Sequence, residues 1–287
     1  MNYIKKEPLN KGWSTDSKYC ITADDGRKYL LRISPAKKSD IRETEFYYQQ
    51  KVSALGVPMC EPVEAGRCPE GFYIIQTWID GDDAEKVIPS LSHTDQYRCG
   101  IDAGKILKMI HTVPAPPDQP AWSSRFNAKA DKKIRLYEDC PVKFDGAREI
   151  IDYINANRRL LDNRPQSFQH GDYHIGNMMI SGGKLVIIDF DRCDFGDPWE
   201  EFNRIVWSAQ AAPHFASGIV DGYFDGCVPE AFWQLLALYI GCNMLSSVPW
   251  AIPFGEKEVN TMLRQAEDVL SWYDRMRDPI PKWYTKK

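Results

Sequence analysis

The sequence predicts an α+β chain in two lobes, a small antiparallel sheet followed by a larger and mainly helical part. Three observations carry that expectation. The first third breaks into short runs of β-branched and aromatic residues bounded by turn signals. From Ser92 onward, apolar residues recur with helical spacing. Between the two stands Asp80-Gly81-Asp82-Asp83, a polar, turn-forming step directly after an apolar run, which places the expected lobes at 1–79 and 80–287.

In the first lobe, Asp24-Asp25-Gly26 is a hairpin turn between a run over 19–22 and a run over 28–33. Alternation in the second run puts Lys28, Leu30 and Arg32 on one face and Tyr29, Leu31 and Ile33 on the other, so one face carries two cations. Upstream, Lys11-Gly12-Trp13-Ser14-Thr15-Asp16-Ser17 is a small-residue turn that could set backbone N–H groups, Ser14 among them, against phosphate oxygens. With a single glycine it reads equally well as an ordinary polar turn. A helix begins at Asp40-Ile41-Arg42-Glu43, with Ile41, Tyr48, Val52 and Leu55 as its buried face, and Gly56-Val57-Pro58 stops it. Glu43 and Glu45 lie in its early turns, where acids suit the helix dipole. After Pro62, strand-like runs lead into the apolar stretch 72–79.

In the second lobe, periodicity is clearest over 92–112, with Ile101, Leu107 and Ile110 facing the core, and it ends before the proline-rich loop 114–120. His111, at the helix end, suits packing or the dipole better than ligation. Shorter helices are expected over 129–137 and 147–163, then over 200–210, 229–245 and 257–276. Between Asn177 and Asp189, two apolar runs flank Ser181-Gly182-Gly183-Lys184, which reads as a hairpin. Pairing Ile180 with Leu185 carries Asn177 opposite Ile188 and delivers Asp189 beside it. Facing positions in such a ladder are about 5 Å apart.

Composition bounds the function. The 287 residues, 43% hydrophobic and 26% charged, suit an ordinary globular protein with a full-sized core. A net charge of −4 disfavours nucleic acid or an anionic membrane as principal partner. The eight cysteines form no Cys-x-x-Cys pair and are expected as free, mostly packed thiols. The stretch 1–8 carries lysines without an apolar core, so no signal peptide is expected. No apolar run is expected to span a membrane, the longest being broken by Gly241 and Asn243, and the expected address is the cytoplasm.

Five metal-capable side chains crowd the middle of the chain: His170, Asp172, His174, Asp189 and Asp191. A transition metal would favour the imidazoles, whereas Mg²⁺ favours carboxylate and amide oxygens together with phosphate. The order His-x-Asp-x-x-x-x-Asn, then a hairpin, then Asp-Phe at a strand end is the phosphoryl-transfer arrangement of protein kinases.

On His170-Gly171-Asp172-Tyr173-His174-Ile175-Gly176-Asn177 and Ile188-Asp189-Phe190-Asp191, the chain resembles the aminoglycoside phosphotransferase and choline kinase family, small-molecule kinases with a protein-kinase-like fold. The two-lobe organisation extends the resemblance over nearly the whole chain. It implies a nucleotide-binding lobe and a catalytic lobe, ATP or GTP as donor, Mg²⁺ as cofactor and a small-molecule hydroxyl as acceptor. It also implies that Asp172 orients that hydroxyl and accepts its proton, and that Asn177 and Asp189 hold Mg²⁺. His170 would hold the loop, and His174 would pack or reach phosphate. Asp191 replaces the glycine of the protein-kinase Asp-Phe-Gly, as a second acid often does in this branch. Arg32 falls where kinases place a lysine against the phosphates, with Lys28 as the alternative. Glu45 would be the helix partner of that cation, with Glu43 in reserve. The hinge would present backbone groups of Thr77 and Ile79 to a purine edge.

The acceptor is less legible. Asp194, Asp197, Glu200 and Glu201 would attract a cationic aminosugar, yet Asp197-Pro198-Trp199-Glu200-Glu201 also reads as a helix start. Nine tryptophans would permit a cage for a quaternary amine, but Trp207 and Trp233 fall in amphipathic helices and read as core. The leading expectation is a phosphotransferase most like an aminoglycoside kinase. The alternatives are a metabolic kinase of a sugar, amino alcohol or macrolide, a nucleotide-binding pseudokinase, and a hydrolase built on the His/Asp cluster.

Overall fold

The structure, a computed structural model, describes residues 1–9 and 15–285, so Ser14 lies outside the described residues. Strands β1 (Tyr3–Pro8), β2 (Ser17–Ala23), β3 (Lys28–Pro35), β4 (Pro62–Cys68) and β5 (Gly71–Thr77) form an antiparallel sheet in the order β1-β2-β3-β5-β4. The hairpin around Asp24-Asp25-Gly26 forms as expected, with Thr22 opposite Lys28. Tyr29 and Leu31 close a small core with Ile21, Ala23 and Ile75. Arg32 points to the opposite face. Strand β1 was not anticipated, because every residue in it is exposed and it has no buried face to show an apolar alternation. Its lysines suit an edge strand, where charge discourages pairing with another chain.

Helix α1 (Ser39–Ala54) forms, but with a different face inward. Ile41 is 61% exposed and Leu55 42%, while Ser39, Arg42, Glu45, Gln49 and Val52 are buried. The buried stripe is polar because it meets polar partners: Arg42 Nε donates to Ser34 Oγ at 3.0 Å, and Gln76 Nε2 to Gln49 Oε1 at 2.9 Å. Buried polar groups are stable where they are hydrogen-bonded, and apolar periodicity cannot reveal such a face.

The chain leaves the sheet after Thr77, and its next strand, β6 (Asp82–Asp83), pairs with the central hairpin. The helices that follow are α2 (Ala84–Val87), α3 (His93–Ile110), α4 (Trp122–Glu138) and α5 (Ala147–Asn157). Strand β7 (Ser167–Gln169) leads to His170, and the hairpin is β8 (Met178–Ser181) with β9 (Lys184–Ile187). Its register is the expected one, Ile180 opposite Leu185, and Ile188 N–H donates to Asn177 O at 3.0 Å. Gly182 and Gly183 both have positive φ, +55° and +75°, as a two-residue turn of this kind requires. The loop segment 58–60 brackets β9: Ile187 N–H donates to Pro58 O at 2.9 Å and Cys60 N–H to Ile187 O at 3.1 Å. Strand β10 (Asp194–Gly196) pairs with β7 and closes the region.

Helices α6 (Ile205–Ala211), α7 (Pro213–Phe224), α8 (Glu230–Ala251) and α9 (Glu256–Trp272) complete the fold. Residues 200–204 form a 3₁₀ turn ahead of α6, and 158–161 another after α5, which shortens both expected helices. Helix α7 was not anticipated, since Gly218 and Gly222 lower its helical propensity. Those glycines have a packing reason. A Cβ on Gly104 would lie 2.2 Å from Ile219 O, and one on Gly218 would lie 2.3 Å from Tyr97 O, so α3 and α7 cross backbone against backbone.

Helix α8, continued to Phe254, is long and apolar enough to cross a membrane, with a mean hydropathy of 1.5, contrary to the sequence expectation. Gly241 and Asn243 interrupt the apolar run without interrupting the helix. The window is 72% buried, and α8 packs against α4, α5 and α9 as the central helix of the main core. His111 is packed as expected, its Nδ1 3.0 Å from Tyr223 Oη. All eight cysteines are free thiols.

Candidate active site

The loop after β7 is fixed from several sides. Gly171 has φ +84°, and a Cβ there would lie 1.9 Å from Arg192 O, so the loop and the segment after β9 touch through backbone. His170 is fully buried; its Nε2 meets Ile188 O at 2.9 Å, while its Nδ1 accepts from Asp172 N–H at 3.3 Å. That pair of contacts requires the proton on Nε2 and makes His170 a brace for the loop. Tyr173 Oη donates to Ala103 O at 2.7 Å, and Gly171 N–H donates to Glu201 Oε1 at 3.0 Å. His174 Nδ1 accepts from Gly176 N–H at 3.1 Å. Burial pushes the His174 imidazolium down to about 4, so the ring is a neutral, packed cap.

Asp172 stands where this bracing leaves an opening. Its carboxylate is 3.2 Å from Arg204 Nε, 3.7 Å from His174 Nε2 and 3.8 Å from Arg192 Nε. Asn177 Nδ2 donates to Asp172 O at 2.9 Å, which turns the amide oxygen away from the loop backbone.

Asp189 lies just past β9 with φ +65°. Asp tolerates this left-handed region better than most residues, and here it turns the chain at the end of the hairpin. Arg32 Nη2 donates to Asp189 Oδ1 at 2.7 Å, and Arg32 Nη1 lies 3.0 Å from Asp191 Oδ2. Lys18, opposite Arg32 in the β2–β3 ladder, places its Nζ 3.9 Å from Asp189 Oδ2. Burial alone would raise both acids. At Asp189 it is outweighed by Arg32, a hydrogen bond with Asp191 and Lys18, which hold that carboxyl below the usual range. Asp191 is pushed up by burial and by the neighbouring Asp189.

Of the two strand cations, Arg32 is the buried one facing these acids, whereas Lys28 is exposed at the start of β3. The expected pairing of Arg32 with Glu45 is not formed. Arg42, one turn before Glu45 on the same helix, occupies the intervening space: its Nη1 meets Glu45 Oε2 at 2.5 Å and Asp191 O at 3.1 Å, and its Nη2 meets Asp16 Oδ2 at 2.7 Å. Burial still pushes the Glu45 carboxyl up to about 7, against the opposing charge of Arg42. Glu43 is exposed, 3.8 Å from Arg67. The Thr77 N–H cannot serve a purine, because it donates to Glu61 O at 2.9 Å while Glu61 N–H donates back to Thr77 Oγ1 at 2.8 Å. Ile79 makes no backbone hydrogen bond among the described residues.

The donor set bears on which metal the hairpin end could hold. Among the described residues, no group of three or more His, Cys, Asp or Glu side chains could hold a metal ion. The imidazoles of His170 and His174 are committed to the loop, so the five side chains do not converge as one ligand cluster. What remains at the hairpin end is the Asn177 amide oxygen and the Asp189 carboxylate. Two oxygen donors fit Mg²⁺, which keeps phosphate and water in its remaining positions.

The sequence profile of the phosphotransferase enzyme family matches residues 6–234. The chain belongs to this family. Among solved structures, its fold is shared by the aminoglycoside phosphotransferase APH(4)-Ia, 17% identical over 94% of each chain with a TM-score of 0.68. A GDP complex of an aminoglycoside 2′-phosphotransferase IIIa variant is 13% identical over 96% of this chain and 94% of that one, with a TM-score of 0.69. A choline/ethanolamine kinase family protein from Mesorhizobium loti is 16% identical, covers 96% of this chain and 91% of that one, and has a TM-score of 0.68. No curated protein matches in sequence. The chain thus shares the α+β fold of these structures, an antiparallel sheet followed by a mainly helical part.

In this phosphotransferase three of the four acids after the hairpin are buried structural groups. Asp197 is fully buried, accepts from Arg164 Nε at 2.7 Å and Tyr239 Oη at 2.6 Å, and caps Trp199 N–H at 3.0 Å. Glu200 binds Lys129 at 2.8 Å, and Glu201 holds Gly171. Asp194 is exposed, 3.7 Å from Arg125. Trp233 is core, whereas half-buried Trp207 has its ring 6.2 Å from His174. Sequence reasoning missed Lys18, Arg192 and Arg204. Arg192 directly follows the Asp189-Phe190-Asp191 motif and could have been flagged; a lone arginine such as Arg204 reads as surface.

Proposed function

We propose that this phosphotransferase moves the γ-phosphate of ATP or GTP to a hydroxyl of a small molecule in a Mg²⁺-dependent reaction. The nucleotide would lie between the lobe 1–79 and the lobe 80–287, its base reaching the backbone at Ile79. Arg32 and Lys18 face the phosphate end. Mg²⁺ held by Asn177 and Asp189 would neutralise charge between phosphate oxygens. Asp172 orients the acceptor hydroxyl and receives its proton, with Arg204 and Arg192 steadying the carboxylate.

The observation that carries this reading is the hydrogen bond from Asn177 Nδ2 to Asp172 O at 2.9 Å. It couples the proton acceptor to a metal donor, while the β8–β9 ladder sets that donor beside Asp189. The relatives named above support the nucleotide: an APH(4)-Ia variant has been crystallised with ADP and hygromycin B, and the 2′-phosphotransferase variant with GDP. The test is nucleotide consumption across a panel of hydroxyl compounds with and without Mg²⁺. Asp172→Asn should reduce turnover by about 10²–10⁴-fold and leave nucleotide affinity unchanged. A fully active Asp172→Asn enzyme would sink the assignment, and nucleotide binding without transfer to any acceptor would favour a pseudokinase.

A further inference from the structure

A run of cationic side chains begins at the Asp172 carboxylate and continues through the turn 200–204, which carries both Arg204 and Glu200, to the lysines of α4. Arg204 and Arg192 approach the carboxylate at 3.2 and 3.8 Å. Arg204 commits only Nε there, and its two terminal nitrogens make no hydrogen bond among the described residues. Lys129 and Lys133 lie four residues apart on α4, so they share one helix face. Lys129 has an acid partner in Glu200 at 2.8 Å. Among the described residues Lys133 has none, and its one polar contact is Asn243 Oδ1 at 3.5 Å. Burial first, and then the like charge of Lys129, push its ammonium down to about 8, with Arg204 adding to the repulsion and Glu200 opposing it. The acids in this group are Asp172 and Glu200, while Asp194 is turned out toward Arg125.

Like charges gathered in a partly desolvated space are unfavourable unless something of opposite sign completes them. Of the acids that would have welcomed a cationic aminosugar, Asp197, Glu200 and Glu201 are held inside the fold by Arg164, Tyr239, Lys129 and Gly171, and exposed Asp194 faces Arg125. A free guanidinium fork matches a carboxylate or phosphate through two parallel hydrogen bonds.

Building on the phosphotransferase reading, we propose that the acceptor is an anion: a hydroxylated small molecule whose carboxylate or phosphate group is gripped by Arg204, Lys129 and Lys133 beside the Asp172 carboxylate. Arg192 closes the same side. The anionic group fixes which hydroxyl reaches Asp172, and the surplus of cations steers such an acceptor into the cleft.

The test uses the full chain with MgATP and matched sets of compounds. Members of a set share a carbon skeleton and differ in bearing a carboxylate, a phosphate, a neutral hydroxymethyl or an ammonium group. The expected result is a kcat/KM at least 100-fold higher for an anionic member than for its neutral and ammonium counterparts, with the carboxylate and phosphate arms separating the two sources of charge. Lys133→Gln should raise the acceptor KM at least 10-fold and leave the KM for ATP unchanged. Preferred turnover of the neutral or ammonium members, or an unchanged acceptor KM in Lys133→Gln, overturns the anionic acceptor and leaves the kinase reading intact. Bound ATP with no transfer to any member overturns both.

Discussion

Arg32 Nη2 donates to Asp189 Oδ1 at 2.7 Å, across a sequence separation of 157 residues, and the same guanidinium reaches Asp191 Oδ2 at 3.0 Å. One buried cation therefore holds two neighbouring acids at the end of the hairpin. Its planar fork spans both carboxylates, which a lysine ammonium would do as a single point charge. The arginine is thus matched to the second acid, Asp191, and the two departures from the protein-kinase pattern explain each other. The helix glutamate, released from that pairing, belongs to Arg42.

Arg32→Ala leaves two acids facing each other with only Lys18, 3.9 Å from Asp189, for a cation. Breaking a buried pair by removing one partner costs about 3–5 kcal/mol, and the partial exposure of Asp189 places the expected loss near the lower end. The pairing lowers the Asp189 pKa below its ordinary 3.8, so its contribution is present above pH 3.8 and fades as pH falls further. Urea unfolding at pH 7 should show the full deficit, and unfolding below about pH 3 a smaller one. Equal deficits at both pH values would show that lost packing, not lost charge, is responsible.

Gly171→Ala tests the contact between loop and hairpin. At φ +84° a side chain adds about 1–2 kcal/mol of backbone strain. The added Cβ would also meet Arg192 O at 1.9 Å and push the loop away from the hairpin segment. A loss of kcat/KM of about 100-fold is expected, since a misplacement of 1 Å in a catalytic group has that effect. Gly226→Ala, at φ +76° with open space around its Cβ, carries the strain alone and should keep full activity. Wild-type kinetics in Gly171→Ala would remove the argument.

The loop after β7 and the hairpin were legible because their signals are local: His170, Asp172 and Asn177 lie within one loop, and Gly182-Gly183 sets the register. What was not legible depends on distant partners. Arg42 outcompetes any partner of Glu45 because Asp16 and Asp191 O converge on it from other segments. The basic group draws Arg192 from the loop after β9 and Arg204 from the 3₁₀ turn to Asp172, and adds two lysines from α4 through Glu200 on that turn, and no sequence period links them. Helix α7 was hidden by the glycines that let it pack.

Those glycines give a stability prediction. Gly104→Ala and Gly218→Ala each set a Cβ against backbone, 2.2 Å from Ile219 O and 2.3 Å from Tyr97 O. Overpacking of this kind costs about 1–3 kcal/mol per site, read by urea unfolding. The double variant should lose less than the sum of the two, because the first substitution already moves α3 from α7 and makes room for the second. Strict additivity would mean that the two contacts relax separately.

Lys133 should act in opposite directions on stability and on binding. Its folded value of about 8 lies below its ordinary 10.5, so between these values the unfolded chain holds more protons and stability rises with pH. Below about 8 the cost of the buried charge is fully present. Lys133→Met removes that charge, and the variant should be more stable than wild type at pH 7 and lose the advantage by pH 10.5. An anionic acceptor needs the ammonium, so in the wild-type enzyme its KM should climb above about pH 8, tenfold per pH unit at most, and stay flat there in Lys133→Met. A residue that weakens the fold where it strengthens binding is the signature of a site held ready for a ligand. Lower stability of Lys133→Met at pH 7 would instead assign the lysine to the fold.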